Sequence, residues 1–294
     1  MQNYNFLQIY LHHFILKNPI IKKSLFHLEN QLFKNKIEIK YNKHLFILGM
    51  PRSGTTILLN FFYKTDEFAS LTYNDMPFVL APNFGSLFPK KKLPKIERQH
   101  EDGIKIDNYS PEALDEVFFL TFNSNEIKEY FENFVSLILK RYSKKKYLSK
   151  NNNNYKRLDL LQSTFTNSKI FILYRNPLSQ AFSLLEQHKK FCKIQKNDKF
   201  VLDYMNYLGH NEFGLNYKPW NNPIKYKNYF SLNHWLEQWF YFYKNILKEK
   251  KYENTFLVSY DDLCKSNHLL NKLFQINGLD YKNDSNFIKK DRHI

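Results

Sequence analysis

Short apolar runs alternate with segments of helical period along most of this chain. Apolar runs bounded by polar or turn-forming residues predict strands at residues 43–48, 146–150, 169–174 and 254–260. Apolar residues spaced three and four apart predict helices at residues 55–63, 125–142, 157–165, 177–191, 231–250 and 269–274. Because strands alternate with helices, we predict an α/β fold of three layers, with a central parallel sheet covered by helices on both faces.

The chain has the length of a single large α/β domain. We divide its 294 residues into an N-terminal helical segment (1–42), an α/β core (43–280) and a polar tail (281–294). In the first segment Phe6, Leu7, Tyr10, Leu11, Phe14 and Ile15 have helical spacing, and Pro19 interrupts the pattern. We interpret this helix as packed on the domain, with a helix on a membrane surface as the alternative.

A long segment between residues 77 and 112 is rich in Pro, Gly and Lys and is predicted to be partly irregular. Long loops in compact domains are often functional, so we consider this one a candidate lid over an acceptor. At its end, Ser110, Pro111 and Glu112 have the order of an N-cap, a first-turn proline and an early acid. This order predicts that a helix begins there.

The first candidate site lies between the predicted strand 43–48 and the helix 55–63. The residues from Gly49 to Thr56 read Gly-Met-Pro-Arg-Ser-Gly-Thr-Thr, a spacing close to the phosphate-binding pattern G-x-x-x-x-G-K-[ST]. Thr55 occupies the position of the lysine, and the cation is Arg52, inside the loop. A loop at the start of a helix directs backbone N–H groups at an anion. We therefore predict a nucleotide phosphate here, and ordinary ATP or GTP hydrolysis is disfavoured.

A second candidate site follows the strand 169–174. Arg175 ends that strand, and Ser183 follows eight residues later in the next helix. Ligands of open α/β sheets bind at the carboxyl ends of strands, where a cation and a hydroxyl can converge on an anion. An ion-paired strand end and an ordinary helix residue explain Arg175 and Ser183 equally well when this motif is taken alone.

Together the two motifs resemble the sulfotransferase family, whose fold is similar to that of P-loop nucleotide hydrolases and whose donor is 3′-phosphoadenosine 5′-phosphosulfate. Residues 50–56 resemble its 5′-phosphosulfate loop, residues 175–183 its 3′-phosphate motif, and residues 258–263 a strand end found late in many members. The resemblance implies that the donor is bound by Arg52, Ser53, Gly54, Thr55, Thr56, Arg175 and Ser183. An arginine at position 52 is typical of protein-tyrosine and many bacterial or carbohydrate-type members. Ile57 departs from the cytosolic branch, in which an aromatic residue stacks on adenine.

The chemistry of sulfuryl transfer needs a cation and a base but no Mg²⁺ clamp. Arg52 would neutralise the charge that grows on the bridging oxygen, and no metal is expected. The resemblance implies that the base is either an acid shortly after the helix 55–63 or a later histidine. Asp75 is our first choice and His100 the second, although a turn aspartate and a solvated histidine are the ordinary explanations of both. Lys150 is a further candidate for neutralising the sulfate.

Composition widens the list of partners. The chain has 44 Lys and Arg against 28 Asp and Glu, a net charge of +16 that favours anionic ligands. A P-loop kinase or NTPase and a basic nucleic-acid-binding protein therefore remain alternatives, but no nucleic-acid-binding motif is present. Two cysteines without metal-site spacing predict a reducing, cytoplasmic location. No apolar run is long enough for a transmembrane helix. The expected acceptor is a hydroxyl or amine of a carbohydrate, a lipid-linked compound or a small molecule.

Overall fold

The computed structural model describes residues 6–33, 39–88, 90–123, 126–220, 224–249 and 253–280. The predicted polar tail, 281–294, lies outside the described residues. The strands are β1 (Leu45–Gly49), β2 (Phe68–Ala69), β3 (Ile96–Glu97), β4 (Lys105–Ile106), β5 (Lys146–Lys150), β6 (Lys169–Tyr174) and β7 (Thr255–Ser259). The α-helices are α1 (Phe6–Lys17), α2 (Pro19–Phe33), α3 (Thr55–Tyr63), α4 (Pro82–Gly85), α5 (Glu116–Thr121), α6 (Ile127–Tyr142), α7 (Leu158–Thr164), α8 (Pro177–Asn197), α9 (Lys199–Tyr207), α10 (Leu232–Glu249), α11 (Tyr260–Lys265) and α12 (Asn267–Ile276).

Five parallel strands form the central sheet, in the order β2-β5-β1-β6-β7. Gly49 at the end of β1 pairs with Leu173 of β6, and Tyr174 pairs with Ser259 of β7. The carboxyl ends of these three strands therefore lie side by side. The loops that follow them, which carry both predicted anion motifs, meet at one edge of the sheet.

Alternate side chains of β1 enter two different cores, as expected for a sheet covered on both faces. Phe46 and Leu48 pack in a core shared with helices α2, α6, α8 and α10. Leu45 and Ile47 pack in a second core with α3, α11 and α12. All four side chains are fully buried. The predicted three-layer α/β fold with a central parallel sheet is confirmed.

Most predicted elements of the α/β core agree with the structure to within a few residues, but the helix predicted to begin at Ser110 does not form there. Pro111 pairs with Thr72 in an isolated antiparallel bridge, and helix α5 begins only at Glu116. Backbone hydrogen bonds hold the bridge, from Tyr73 N–H to the Ser110 carbonyl and from Glu112 N–H to the Leu71 carbonyl. This long-range pairing outweighs the local capping signal and carries Glu112 next to Tyr73.

The N-terminal helices pack on the domain through only one side. Helix α1 buries His12, Ile15 and Leu16, and α2 buries Phe26 among the aromatic rings of α5 and α6. Four of the six residues on which the helix prediction rested are solvent-exposed, namely Phe6, Leu7, Tyr10 and Phe14. The packed helix is therefore present, but most of its large apolar side chains do not take part in the packing.

Candidate active site

The predicted phosphate loop connects β1 to α3 and has a backbone that few residues adopt. Gly54, the N-cap of α3, has φ +94°, and a Cβ placed there would lie 2.4 Å from a ring carbon of Tyr260. Glycine is required at this position on both counts. Arg52 also has a positive φ of 72°, which is uncommon for a residue with a side chain. The loop is closed by Gln180, whose amide donates to the carbonyls of Met50 and Pro51 at 2.9 and 3.0 Å.

The guanidinium of Arg52 joins the two predicted anion motifs. Its Nε donates to Ser183 Oγ at 3.0 Å, and its Nη1 donates to the carboxylate of Asp102 at 2.7 Å. Arg98 donates to the same carboxylate and has its Nη1 3.5 Å from Thr56 Oγ1. Burial alone would raise the pKa of Asp102, but the two guanidinium groups hold this pKa well below its usual range. Two arginines thus converge on one partly buried carboxylate at the phosphate loop.

Asp102, like Arg98, belongs to the long segment that the sequence predicted as a lid. The antiparallel pair β3 and β4 forms a hairpin, which we call the 96–106 hairpin. Its turn brings Asp102 onto Arg52, and Gln187 of α8 donates to the carbonyl of His100 at 3.1 Å. The hairpin therefore lies over the phosphate loop, held by charge at its tip and by α8 at its side.

A first cavity of about 470 Å³ opens beside the phosphate loop. Its lining includes Arg52, Thr55, Arg175 and Ser183, so it brings together both sequence motifs. The guanidinium of Arg175 lies over the ring of Tyr260, 4.8 Å from the ring centre. The rest of the lining is Gly54, Thr56, Ile57, Arg98, Glu101, Asp102, Ile104, Ser179, Phe182 and Tyr260. Ser53 is buried within the loop and does not line this cavity.

A second cavity, of about 700 Å³, lies on the other side of the same arginines. Four residues line both cavities, Arg52, Thr55, Thr56 and Arg98. Its ionisable lining also includes His100, Glu112, Lys150, His210 and Glu212. One ligand in each cavity would therefore meet the other at the cationic end of the phosphate loop.

Asp75, the first choice for the base, lines neither cavity, although its neighbours Tyr73 and Met76 line the second one. One carboxylate oxygen accepts from the backbone N–H of Thr72 at 2.7 Å, from the Thr72 hydroxyl at 3.1 Å and from the Tyr142 hydroxyl at 2.5 Å. Burial raises the pKa of Asp75 in spite of these bonds. The residue closes a capping box with Thr72 around a short 3₁₀ turn. Its surroundings are those of a structural aspartate.

His100, the second choice, does line the second cavity. Its ring packs against Phe191 and Phe213, with ring centres 5.1 and 5.8 Å apart. Burial, followed by the positive charges of Arg98 and Arg52, lowers the pKa of His100 well below its usual value. The imidazole is therefore neutral at pH 7 and has a nitrogen lone pair that can accept a proton.

Glu112 is a second acid–base candidate in this cavity. In the sequence it indicated only the start of a helix. It accepts from the hydroxyl of Tyr73 at 2.8 Å, and its carboxylate lies 3.6 Å from the ammonium of Lys150. Burial would raise its pKa, but the charges of Lys150 and Arg98 lower the pKa of Glu112 to about 2. It is thus a carboxylate at neutral pH, and Lys150 is an ion-paired residue of the cavity.

The sequence motifs also did not identify four charged or titratable residues of the site, namely Arg98, Asp102, His210 and Glu212. The ring nitrogen Nδ1 of His210 lies 3.3 Å from Glu212 Oε1, and this carboxylate helps to raise the pKa of the histidine against the effect of burial. A basic or acidic residue in a charged loop carries no local signal of its role. Among the described residues, no cluster of three or more His, Cys, Asp or Glu side chains is arranged to hold a metal ion.

The five-stranded parallel sheet and the loop between β1 and α3 define a P-loop-like α/β fold. Residues 44–281 match the Sulfotransferase family, and the chain belongs to that family. Among solved structures it resembles the sulfotransferase STF1 of Mycobacterium tuberculosis H37Rv, with 12% identity, 94% of this chain and 78% of that chain covered, and a TM-score of 0.51. It also resembles the sulfotransferase STF9 of Mycobacterium avium, with 13% identity, 90% of this chain and 71% of that chain covered, and a TM-score of 0.53. No curated protein matches this sequence significantly.

Proposed function

We propose that the protein transfers a sulfuryl group from 3′-phosphoadenosine 5′-phosphosulfate to a hydroxyl of an acceptor. The observation that carries the proposal is that two cavities share Arg52, Thr55, Thr56 and Arg98. A donor in the first cavity and an acceptor in the second would place their reacting atoms at these residues. Such an arrangement supplies the proximity and alignment that a direct transfer between two bound molecules requires.

The donor's two charged ends fit the two parts of the first cavity. In the proposal, the 5′-phosphosulfate lies on the phosphate loop, where Arg52, Thr55 and Thr56 face it, and Arg175 and Ser183 hold the 3′-phosphate. The acceptor oxygen attacks sulfur, the bond between sulfur and the bridging oxygen breaks, and the bisphosphate leaves. Arg52 and Arg98 would stabilise the negative charge that develops on that bridging oxygen.

We assign the base to His100 in preference to Asp75. His100 lines the acceptor cavity, whereas Asp75 lines neither cavity. Burial is the main cause of the low pKa of His100, and the charges of Arg98 and Arg52 lower this pKa further. A bound anionic donor would offset those charges, so the pKa of the imidazole rises when the donor is present and the ring becomes a stronger base.

The experiment that tests the donor is thermal unfolding of the protein, followed by scanning calorimetry, with 3′-phosphoadenosine 5′-phosphate or with the same concentration of ATP and Mg²⁺. Because the bisphosphate retains both phosphates of the donor, we expect it to raise the unfolding free energy by about 2–3 kcal/mol at a hundredfold excess over its dissociation constant. Equal or greater stabilisation by Mg-ATP at that concentration would overturn the proposal and favour a kinase or NTPase.

We also propose a cytoplasmic location. With only two cysteines, Cys192 and Cys264, the chain has no disulfide framework, which agrees with a reducing compartment. No helix among the described residues is long and apolar enough to cross a membrane.

A further inference from the structure

The N-terminal helices expose an unusual concentration of large apolar side chains. We call this surface the N-terminal face; its exposed residues are Phe6, Leu7, Tyr10, Phe14 and Ile20. Phe6 is 85% exposed and Phe14 52% exposed, and the rings of Tyr10 and Phe14 stack with their centres 6.2 Å apart. Residues 6, 10 and 14 are four apart and so form a stripe along one side of α1. An exposed apolar patch of this kind marks an interaction surface.

The charge around the N-terminal face is positive. Lys17 and Lys23 are exposed, and Glu29 is the one acidic residue between residues 6 and 33. Glu29 is buried, because its carboxylate accepts the backbone N–H groups of Asn83 and Phe84 at 2.6 and 2.9 Å. The neighbouring segment 90–95 adds four lysines and no acid. Within residues 6–33 and 90–95 the exposed charges are therefore basic, and the nearest exposed acid that follows is Glu97. An apolar stripe beside lysine-rich segments is complementary to an anionic lipid surface.

The acceptor cavity borders helix α1, which carries most of the N-terminal face. Gln8, Leu11 and His12 of α1 line the cavity, and no residue of the N-terminal face does. Leu11 lies one helical turn from Leu7 and Phe14, so it connects the cavity lining to the apolar stripe. The basic segment lines the same cavity through Lys90 and Leu93. An entrance between α1 and the segment 90–95 would therefore lie beside the N-terminal face.

The lining of the cavity combines ionic and apolar side chains. The ionic residues include Glu112, Lys150 and His210, next to the phosphate loop. The apolar side chains include Leu11, Leu93, Met76, Met205 and Leu208. An acceptor that matches this combination has a polar hydroxylated head and a hydrocarbon chain.

We propose that the N-terminal face rests on an anionic lipid bilayer and that the acceptor is a lipid whose hydroxylated headgroup enters the cavity from that bilayer. The identity of the acceptor rests on the proposed sulfuryl transfer, whereas the binding of the face to a bilayer does not. A lipid would then move from the bilayer into the cavity while its hydrocarbon chain stays out of water.

The surface is tested by co-sedimentation of the full chain with phosphatidylcholine vesicles, with and without phosphatidylglycerol. We expect binding to the anionic vesicles that weakens as salt is raised, because the basic residues contribute to it. Phe14→Ser should lower the partition coefficient about tenfold, the loss expected for one inserted aromatic ring. The matched control is Phe240→Ser on α10, because Phe240 has the same 52% exposure.

Equal losses for the two serine variants, or no binding of the unaltered chain to anionic vesicles, would overturn the membrane assignment. A dimer in solution that Phe14→Ser dissociates, as measured by analytical ultracentrifugation, would also overturn it, since a second copy would then occupy the face.

The cavity is tested with dodecyl maltoside, below its micelle concentration, as a probe with a hydroxylated head and an alkyl chain. Titration into the protein saturated with the bisphosphate should show binding that Leu93→Ser weakens several-fold, since Leu93 lines the cavity. Leu87→Ser is the control, because Leu87 lies shortly before the segment 90–95 and is exposed but does not line the cavity. Equal affinities for both variants would overturn the lipid acceptor. Failure of the bisphosphate to bind would instead overturn the proposed transfer and leave the vesicle result standing.

Discussion

His44 makes the stability of this fold sensitive to mild acid. The side chain is fully buried immediately before β1, the strand that leads into the phosphate loop. Its Nδ1 accepts from the backbone N–H of Tyr147 at 2.9 Å, and its Nε2 lies 2.9 Å from the carbonyl of Ile39. Both contacts are satisfied only by the neutral ring with its proton on Nε2. Protonation of Nδ1 would place two N–H donors against each other in the core.

The size of the effect follows from the pKa. Burial lowers the pKa of His44 from 6.5 to about 4. The unfolded chain therefore binds the proton first as the pH falls, and the free energy of unfolding decreases between pH 6.5 and about 4. At 1.36 kcal/mol per pKa unit, the contribution of His44 over this range is about 3 kcal/mol. Above pH 6.5 the full stability is present, since the ring is neutral in both states.

The assay is urea unfolding at several pH values between 7 and 4, for the unaltered chain and for His44→Asn. Asparagine retains an acceptor for the Tyr147 N–H but does not titrate, so the variant should lose less stability on acidification, by about 3 kcal/mol. Burial also lowers the pKa values of His12 and His188 to about 4, but these residues are unchanged in the comparison. The control is His268→Asn, whose side chain is exposed. Identical pH dependence of the unaltered chain and His44→Asn would refute the reasoning.

Three further predictions concern the site. Arg175→Ala should chiefly weaken bisphosphate binding in calorimetry, whereas Arg52→Ala should lower kcat more than binding; equal losses in binding alone would contradict these roles. Gly54→Ala should abolish bisphosphate binding and lower the melting temperature, because its Cβ has no room; unchanged affinity would contradict the close packing. His100→Gln should lower turnover about 10²–10⁴-fold with bisphosphate affinity retained. Asp75→Asn should lower the free energy of unfolding in urea by about 1–3 kcal/mol and leave kcat nearly intact. The reverse pattern of turnover would return the base to Asp75.

Local sequence signals were sufficient to locate the two strands and loops that line the first cavity. The apolar run before Gly49, the loop spacing and the apolar helix after Thr56 are all encoded within a short stretch of chain. The strand 169–174 is likewise a continuous apolar run, which is typical of a strand buried on both faces. Because parallel strands align their carboxyl ends, the segments that follow these two strands lie side by side, and the structure adds a hydrogen bond between Arg52 and Ser183 that was not predicted.

The acceptor side could not be predicted in this way, because its residues are placed by contacts distant in sequence. Arg98 and Asp102 lie in a hairpin whose position depends on an ion pair with Arg52. Glu112 has the local signal of a helix start, and only pairing of its backbone with residue 71 turns it into the cavity. The error at Asp75 is the opposite one, because a structural residue was chosen as the base. Its distance from the helix 55–63 suggested that role, whereas its carboxylate completes a capping box.

The errors at Arg98, Asp102 and Glu112 have one physical origin. A charged loop side chain without a local partner is positioned by the distant partner that offsets its desolvation. Asp102 between two arginines and Glu112 beside Lys150 are such cases, and each joins segments that the sequence leaves unrelated. In the proposed function, a donor phosphosulfate brought to Arg52 would compete with Asp102 for the same guanidinium. Donor binding would therefore be coupled to the position of the 96–106 hairpin, and through His100 in that hairpin to the second cavity.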